Sequence, residues 1–200
     1  MERRKKEFAE ENITLLEKDL EYYNFCSVKL NWDSQLKLRN ETTLRGGFVL
    51  NSPSESICDF GDEYFNESTN VSGEEDFSKK LQRFENLPKG VDDSMRGCFI
   101  IQGPGSTFPP PIVFFRRDWY VKLNFDYYRY MELLFENYGF KGWQYFYIDI
   151  TAKIPRIEEV LEDMRVAAKT LPLLFPDKDW SYHQEKYAET LSRFEKTVND

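Results

Sequence analysis

The sequence has few of the residues that metal-binding and disulfide-rich secreted proteins need, and it has no long apolar segment of the kind that spans a membrane. It contains one histidine, His183, three cysteines and no apolar run of the about 20 residues that span a bilayer. A single histidine excludes zinc sites built on several histidines. Cys26, Cys58 and Cys98 are odd in number and widely spaced, as reduced thiols are. With no apolar signal segment near Met1, these features predict a cytoplasmic protein without membrane association, metal or cofactor.

The charge balance is acidic. The chain has 35 Asp and Glu residues against 27 Lys and Arg residues, a formal net charge of −8. Negative surfaces repel phosphate backbones, so the composition predicts no nucleic-acid partner and favours a basic protein partner. The alternative interpretation is that the charge only keeps the protein soluble.

The spacing of hydrophobic residues changes along the chain between the spacing typical of helices and the alternation typical of strands. Spacings of three and four residues predict helices over residues 3–23, 75–84 and 127–138, and two more after Pro155. Alternation predicts strands over 26–30, 36–38, 42–50, 96–101, 112–115, 119–123 and 142–150. Residues 51–76, rich in Ser, Asn and acidic residues, are predicted to be the least structured part. This order predicts an α+β fold, a mostly antiparallel sheet flanked by helices with a two-helix C-terminal extension. We predict an α+β domain over residues 1–150 and a helical extension packed on it over 151–200.

Several short signals predict where elements begin, end or approach one another. They are a bulge or close approach at Gly46-Gly47, a helix cap at Asp126, a left-handed helix exit at Gly139, helix breaks at Leu171-Pro172 and Phe175-Pro176, and a cap at Asp177 or Asp179.

No motif in the chain has the context of a catalytic or nucleotide site. Gly103-Pro104-Gly105 follows a predicted strand, but it lacks the lysine and the helix of a phosphate loop. Asp59-Phe60-Gly61 copies a kinase triplet without a catalytic loop or glycine-rich loop. His183 is predicted to be a half-exposed aromatic residue on a surface helix. The sequence therefore predicts a protein that is not an enzyme.

The aromatic run from Trp143 to Tyr147 allows two interpretations. It could stack on bases or sugars, because basic residues are interleaved with aromatics nearby, namely Arg116, Arg117, Lys122, Arg129 and Lys141. The other interpretation, favoured by the acidic total charge, is that Trp143 and its neighbours belong to the core.

An acidic segment is the candidate contact surface for a protein partner. It contains seven carboxylates and no Lys or Arg before Lys79: Asp59, Asp62, Glu63, Glu67, Glu74, Glu75 and Asp76. Carboxylates on such a segment could contact a basic protein surface. The alternative is a solvated connector.

Three stretches of the chain read CFII at 98–101, PIVFF at 111–115 and FDYYRYME at 125–132. They resemble the second half of the SUKH superfamily, bacterial toxin-immunity proteins related to yeast cell-wall assembly regulators. GFKGWQ at 139–144 is similar to the segment after the helix in some members. The resemblance covers residues 96–149. It implies a sheet wrapped by helices and binding of protein toxins, and it implies no catalytic residues.

These observations lead to one hypothesis and two alternatives. The hypothesis is a non-catalytic, immunity-like protein-binding module that neutralises or regulates a protein partner. One alternative is a small enzyme or ligand-binding protein with an aromatic pocket near Trp143. The other is a subunit of a larger assembly that docks through its terminal helices. The sequence does not identify the oligomeric state.

Overall fold

The computed structural model describes seven stretches of the chain: residues 27–34, 43–58, 81–92, 94–101, 107–117, 119–151 and 154–199. The predicted helix over 3–23, the predicted strand over 36–38 and the turn at 103–105 lie outside these stretches.

The strands form one antiparallel sheet in which sequence order is also spatial order. Its six strands are β1 Val28–Asp33, β2 Arg45–Leu50, β3 Leu81–Asn86, β4 Met95–Ile100, β5 Ile112–Arg116 and β6 Trp119–Lys122. The helices are α1 Pro53–Cys58, α2 Tyr127–Glu136, α3 Ile157–Leu174 and α4 Ser181–Asn199. The predicted α+β class with two C-terminal helices is confirmed, as are β4 and the β5–β6 hairpin.

The strand β3 replaces part of a predicted helix. Leu81 and Phe84 lie three residues apart, as on one face of a helix, but both belong to β3, where Leu81 pairs with Ile100 of β4. The register shifts between Arg83 and Glu85, where one residue is inserted as in a bulge. Phe84 packs on Phe99 of β4, with ring centroids 4.5 Å apart. The helix predicted over 75–84 is therefore wrong at its C-terminal end, because cross-strand pairing outweighs the local period.

A short helix, α1, lies in the segment predicted to be the least structured part of the chain. Pro53 is its first residue, a position where the missing N–H costs nothing because that donor has no partner within the helix. The Ser52 hydroxyl accepts a hydrogen bond from the Glu55 N–H at 3.2 Å. The Glu55 carboxylate in turn accepts one from the Ser52 N–H at 3.0 Å, which completes a capping box.

The helix α2 begins at the predicted cap, Asp126, and is followed by the predicted left-handed exit at Gly139. The Asp126 carboxylate accepts a hydrogen bond from the Arg129 N–H at 2.9 Å and so caps the first turn. Beyond the last turn, Tyr138 and Gly139 both have left-handed backbones, with φ of 54° and 57°. The Gly139 N–H closes the helix on the Leu134 carbonyl at 2.9 Å.

The strand predicted over 142–150 is wrong. Trp143–Tyr147 forms a 3₁₀ helix that starts after Gly142, whose φ is 80°. Four of its five side chains are buried, on more than one face, namely Trp143, Gln144, Tyr145 and Phe146. A strand between water and core would have buried alternate residues only.

One of the two prolines predicted to break the helix after Pro155 lies inside α3. Pro172 cannot donate to the Ala168 carbonyl four residues earlier. The Gln184 side chain of α4 approaches that carbonyl at 3.5 Å and partly replaces the missing donor. The helix ends at Leu174, directly before the other predicted break at Phe175-Pro176, which is confirmed. Asp179 supplies the predicted cap of α4, since its carboxylate accepts a hydrogen bond from the Ser181 N–H at 2.9 Å.

The chain divides into two compact units. The first unit comprises Met1–Leu30 and Phe48–Leu133, and the second comprises Asn31–Gly47 and Leu134–Asp200. In the first, Tyr127 and Tyr130 of α2 pack on Phe84. In the second, α3 and α4 pack on each other and on the 3₁₀ helix. The domain boundary at residue 150 stays a prediction.

Candidate functional site

The predicted acidic segment lies outside the described residues. This holds for all seven of its carboxylates, at Asp59, Asp62, Glu63, Glu67, Glu74, Glu75 and Asp76. Its role in partner binding therefore stays a prediction.

The aromatic run at 143–147 is core, as predicted. Trp143, Tyr145 and Phe146 are fully buried, and Tyr147 is half-buried. Of the basic residues considered with it, Arg129 forms an ion pair with Glu132, Lys141 forms one with Asp163, and Arg116 is buried.

His183 is buried, contrary to the prediction of a half-exposed surface position. It is 5% exposed, because α4 turns this residue towards the 3₁₀ helix. Its nearest rings are Phe146 at 4.6 Å and Trp180 at 5.0 Å between centroids. Three more rings complete the surround, those of Phe140, Tyr147 and Tyr182.

The imidazole of His183 has one polar partner among the described residues. Its Nε2 lies 2.7 Å from the Asn137 Oδ1, and the Asn137 amide donates to the Tyr147 hydroxyl at 3.0 Å. Burial, and secondarily the positive charge of Lys178, lowers the pKa of His183 from 6.5 to about 4. The ring is therefore neutral at pH 7. No described nucleophile is hydrogen-bonded to it, so the geometry of a catalytic triad is not assembled there.

A second buried polar centre lies in the first unit, around Glu85. The Tyr130 hydroxyl donates to the Glu85 Oε2 at 2.6 Å, and the Gly97 backbone also donates to this carboxyl. A side chain at Gly97 would lie 2.9 Å from the Tyr130 hydroxyl and 2.8 Å from the Phe84 ring, so only glycine admits this approach. Burial raises the pKa of Glu85 from 4.5 to about 7, against the opposing effect of both hydrogen bonds. Glu85 is 1% exposed, so a substrate could not reach this carboxyl without local opening.

An aromatic cluster in the second unit is partly exposed. We call it the Tyr138 patch and define it as Trp32, Tyr138, Phe175, Lys178 and Trp180. Tyr138 stacks on Phe175 with centroids 4.2 Å apart, and Trp32 meets Phe175 edge-on at 6.0 Å. The Trp32 indole donates to the Tyr138 carbonyl at 2.7 Å. The Tyr138 side chain is still 38% exposed, although it falls on the apolar stripe of the helix predicted over 127–138.

The backbone of Tyr138 is constrained. A left-handed φ of 54° is rare for a bulky aromatic residue and is retained where surrounding contacts hold it. Lys178 supplies one such contact, because its ammonium lies 5.2 Å from the Tyr138 ring centroid and 4.8 Å from that of Trp180. The same ammonium donates to the Glu136 carbonyl at the end of α2. The ring of Tyr138 is thus presented in a fixed orientation.

The backbone of Gly46 lies directly against the Trp32 ring of the Tyr138 patch. A side chain at Gly46 would overlap the Trp32 ring, which confirms the prediction of a close approach at this glycine pair. Next to it, the Gly47 N–H donates to the Gly139 carbonyl at 2.8 Å, and Gly46 pairs with Phe140.

A shallow cleft of about 500 Å³ lies in the first unit, between the segment 107–111 and the start of α2. Three of its eight lining residues are proline, and its one carboxylate, Asp126, already caps α2. The cleft therefore offers no group of converging charges.

The described residues contain no cluster of three or more metal-ligating side chains. Among those same residues, no helix is long and apolar enough to cross a membrane. Comparison with protein-family models, curated proteins and solved structures finds no match to this chain.

Sequence reasoning missed both Glu85 and the Tyr138 patch. Glu85 lies in a segment whose apolar spacing is helical. The patch joins residues 32, 138 and 175, which no periodic pattern connects. The one available signal was the aromatic residue directly before the predicted helix exit at Gly139.

Proposed function

We propose that this chain is a non-catalytic, immunity-like protein-binding module that neutralises or regulates a basic protein partner. The partner docks on the Tyr138 patch and is attracted by the acidic segment. The observation that carries the proposal is that the Tyr138 ring is exposed and yet fixed by its stack on Phe175 and by Lys178.

A fixed, exposed aromatic ring is suited to anchor a protein interface. Hot spots are enriched in Tyr and Trp, whose large side chains bury much area with few rotatable bonds. Because Tyr138 is already held by its neighbours, binding would cost little conformational entropy. Two more large apolar side chains of the same unit are exposed, Phe135 at 54% and Leu173 at 57%.

The sign of the partner's charge follows from the whole chain. The net charge is −8, and seven carboxylates lie between Asp59 and Asp76 without an intervening Lys or Arg. Such a field raises the association rate of cationic proteins. The SUKH resemblance of residues 96–149 supplies the partner class, a protein toxin.

The first test removes the ring and keeps the backbone. Tyr138→Asn is the suitable change, because asparagine tolerates the left-handed conformation. We expect affinity for a partner captured by the wild-type chain to fall roughly thirtyfold or more, as at an interface hot spot. Tyr182→Ala is the matched control, since Tyr182 is 48% exposed in the same unit but outside the patch. Binding by calorimetry measures both.

Two outcomes of this test redirect the proposal. If Tyr138→Asn binds as the wild type does, the patch is not the docking surface. If Tyr182→Ala instead abolishes binding, the alternative of an assembly subunit docking through terminal helices moves ahead, because Tyr182 lies on α4. The immunity role has its own readout: the partner alone should arrest growth, and co-expression of this chain should restore it.

A second test addresses the acidic segment. Replacing Glu74, Glu75 and Asp76 by Lys should slow association with the partner by roughly tenfold at low salt and weaken its salt dependence. The dissociation rate should change less, because steering acts on encounter. Stopped-flow measurements at several salt concentrations check this, and unchanged association rates would remove the acidic segment from the proposal.

A further inference from the structure

The strand β1 is the outermost strand of the sheet and is open to solvent. It lies at the end of the strand order, beside β2, and no described strand lies on its other side. Five of its six residues are exposed, and Trp32 is half-buried. Two of the exposed side chains are large and apolar, Val28 at 42% and Leu30 at 44%.

An edge strand of this kind can pair with another strand. The outer N–H and C=O groups of an edge strand can hydrogen-bond to a strand that is added to the sheet. Proteins protect such edges with charged side chains, especially Lys, and with prolines or bulges. β1 contains no proline and one lysine, Lys29, and it carries exposed apolar side chains at alternate positions.

We propose that β1 pairs in antiparallel orientation with β1 of a second copy of this chain, with the two-fold axis at Asn31. The resulting symmetric dimer joins the two sheets edge to edge. A second copy of β1 is the partner strand because the charges of two copies are complementary when they pair in antiparallel orientation.

The register follows from the order of charges in VKLNWD. With Asn31 opposite itself, Lys29 of each copy faces Asp33 of the other, so two opposite-charge pairs form. Moving the centre to Lys29 or to Asp33 places like charges opposite one another, which is unfavourable across a strand pair. Centring on Leu30 leaves Lys29 opposite Asn31. Asn31 is therefore the centre that pairs both charges.

The other face of the strand fits the same register. Side chains alternate between faces, so Leu30 lies opposite Trp32 of the second copy, an aliphatic–aromatic pair that stabilises antiparallel sheets. Asp33 already pairs with Arg45 at 3.4 Å, with both side chains about half exposed, and so retains room for Lys29. Lys29 itself makes no ion pair with another described residue.

The test is a charge exchange followed by sedimentation velocity. The wild-type chain is expected to show a concentration-dependent monomer–dimer equilibrium, because one strand pair makes a small interface. Lys29→Asp alone places Asp opposite Asp33, and Asp33→Lys alone places Lys opposite Lys29. Each variant should therefore lose the dimer.

Two combinations of these variants should restore dimerisation, and they make the test specific. An equimolar mixture of the two variants should dimerise, because every facing pair is then of opposite charge. The double variant should dimerise for the same reason. Lys89→Asp, an equal change of charge at an exposed position outside β1, should dimerise as the wild type does.

Circular dichroism confirms that each variant is folded. A wild-type chain that stays monomeric up to roughly 1 mM overturns the proposal, since specific association weaker than this has little meaning. Single variants that still dimerise overturn it as well, because the dimer then uses another surface.

Discussion

Trp143→Ala is expected to lower the free energy of unfolding by about 3–5 kcal/mol, because a fully buried indole is replaced by a methyl group. The lost transfer energy and the cavity left between the 3₁₀ helix and its neighbours add to one another. Tyr147, whose ring centroid lies 5.9 Å from that of Trp143, would lose this edge-on aromatic contact. Urea unfolding followed by far-UV circular dichroism measures the change.

The control for this substitution is Tyr182→Ala. Tyr182 is 48% exposed, and its removal should cost much less than that of Trp143. A Trp143→Ala protein as stable as the wild type, but unable to bind a small ligand, would revive the alternative of an aromatic pocket.

Glu85→Gln is expected to make the protein more stable at pH 8 and to change how its stability depends on pH. The folded-state pKa of Glu85 is raised to about 7. Between pH 4.5 and 7 the folded state keeps a proton that the unfolded state has released, so stability falls as pH rises through this window. The shift corresponds to roughly 3 kcal/mol, and Gln, which carries no titrating proton, removes this loss.

His183 acts in the opposite direction. Its folded-state pKa is lowered to about 4, so the unfolded state binds the proton first as pH falls from 6.5. Its contribution is therefore complete above pH 6.5 and is lost as pH falls through about 4, by a similar roughly 3 kcal/mol. In the wild type the two effects offset one another between pH 4.5 and 6.5. The Glu85→Gln variant should lose stability steadily on acidification over that range.

Urea unfolding at about pH 5 and about pH 8 tests this pair of effects. Glu132→Gln, at an exposed carboxylate of α2, is the control for replacing a carboxyl by an amide and should not raise the stability at pH 8. If Glu85→Gln is as unstable at the higher pH as the wild type, or less stable, the carboxylate does not carry the expected penalty of burial.

Local signals were enough to predict the second half of the sheet. β4, the β5–β6 hairpin and the cap at Asp126 depend on alternation and on turn or capping residues within a few positions of each other. Such local signals fail where pairing between residues that are distant in sequence determines the secondary structure. Leu81 and Phe84 have helical spacing, yet in β3 they pack on opposite faces of the sheet, Leu81 with Cys98 and Phe84 with Phe99.

The 3₁₀ helix and Pro172 show two further limits. WQYFY has no polar face, so its side chains give no period that distinguishes a strand from a turn of helix. Pro172 is tolerated because Gln184, on the next helix, approaches the carbonyl that lacks a donor. The Tyr138 patch is similar in kind: its stack, indole hydrogen bond and ammonium come from three separated segments, so only the folded chain brings them together.

The arrangement of the chain also bears on how a nascent polypeptide acquires structure during translation. Neighbouring strands of the sheet are neighbours in sequence, so the β3–β4, β4–β5 and β5–β6 pairs can form soon after their second strands leave the ribosome. The second unit is different, because it unites Asn31–Gly47 with Leu134–Asp200. At typical rates of synthesis, Asn31–Gly47 must wait roughly ten seconds or more for the segment that completes this unit. Throughout that interval Trp32 lacks Tyr138 and Phe175, and this early segment is where we expect a chaperone to bind the growing chain.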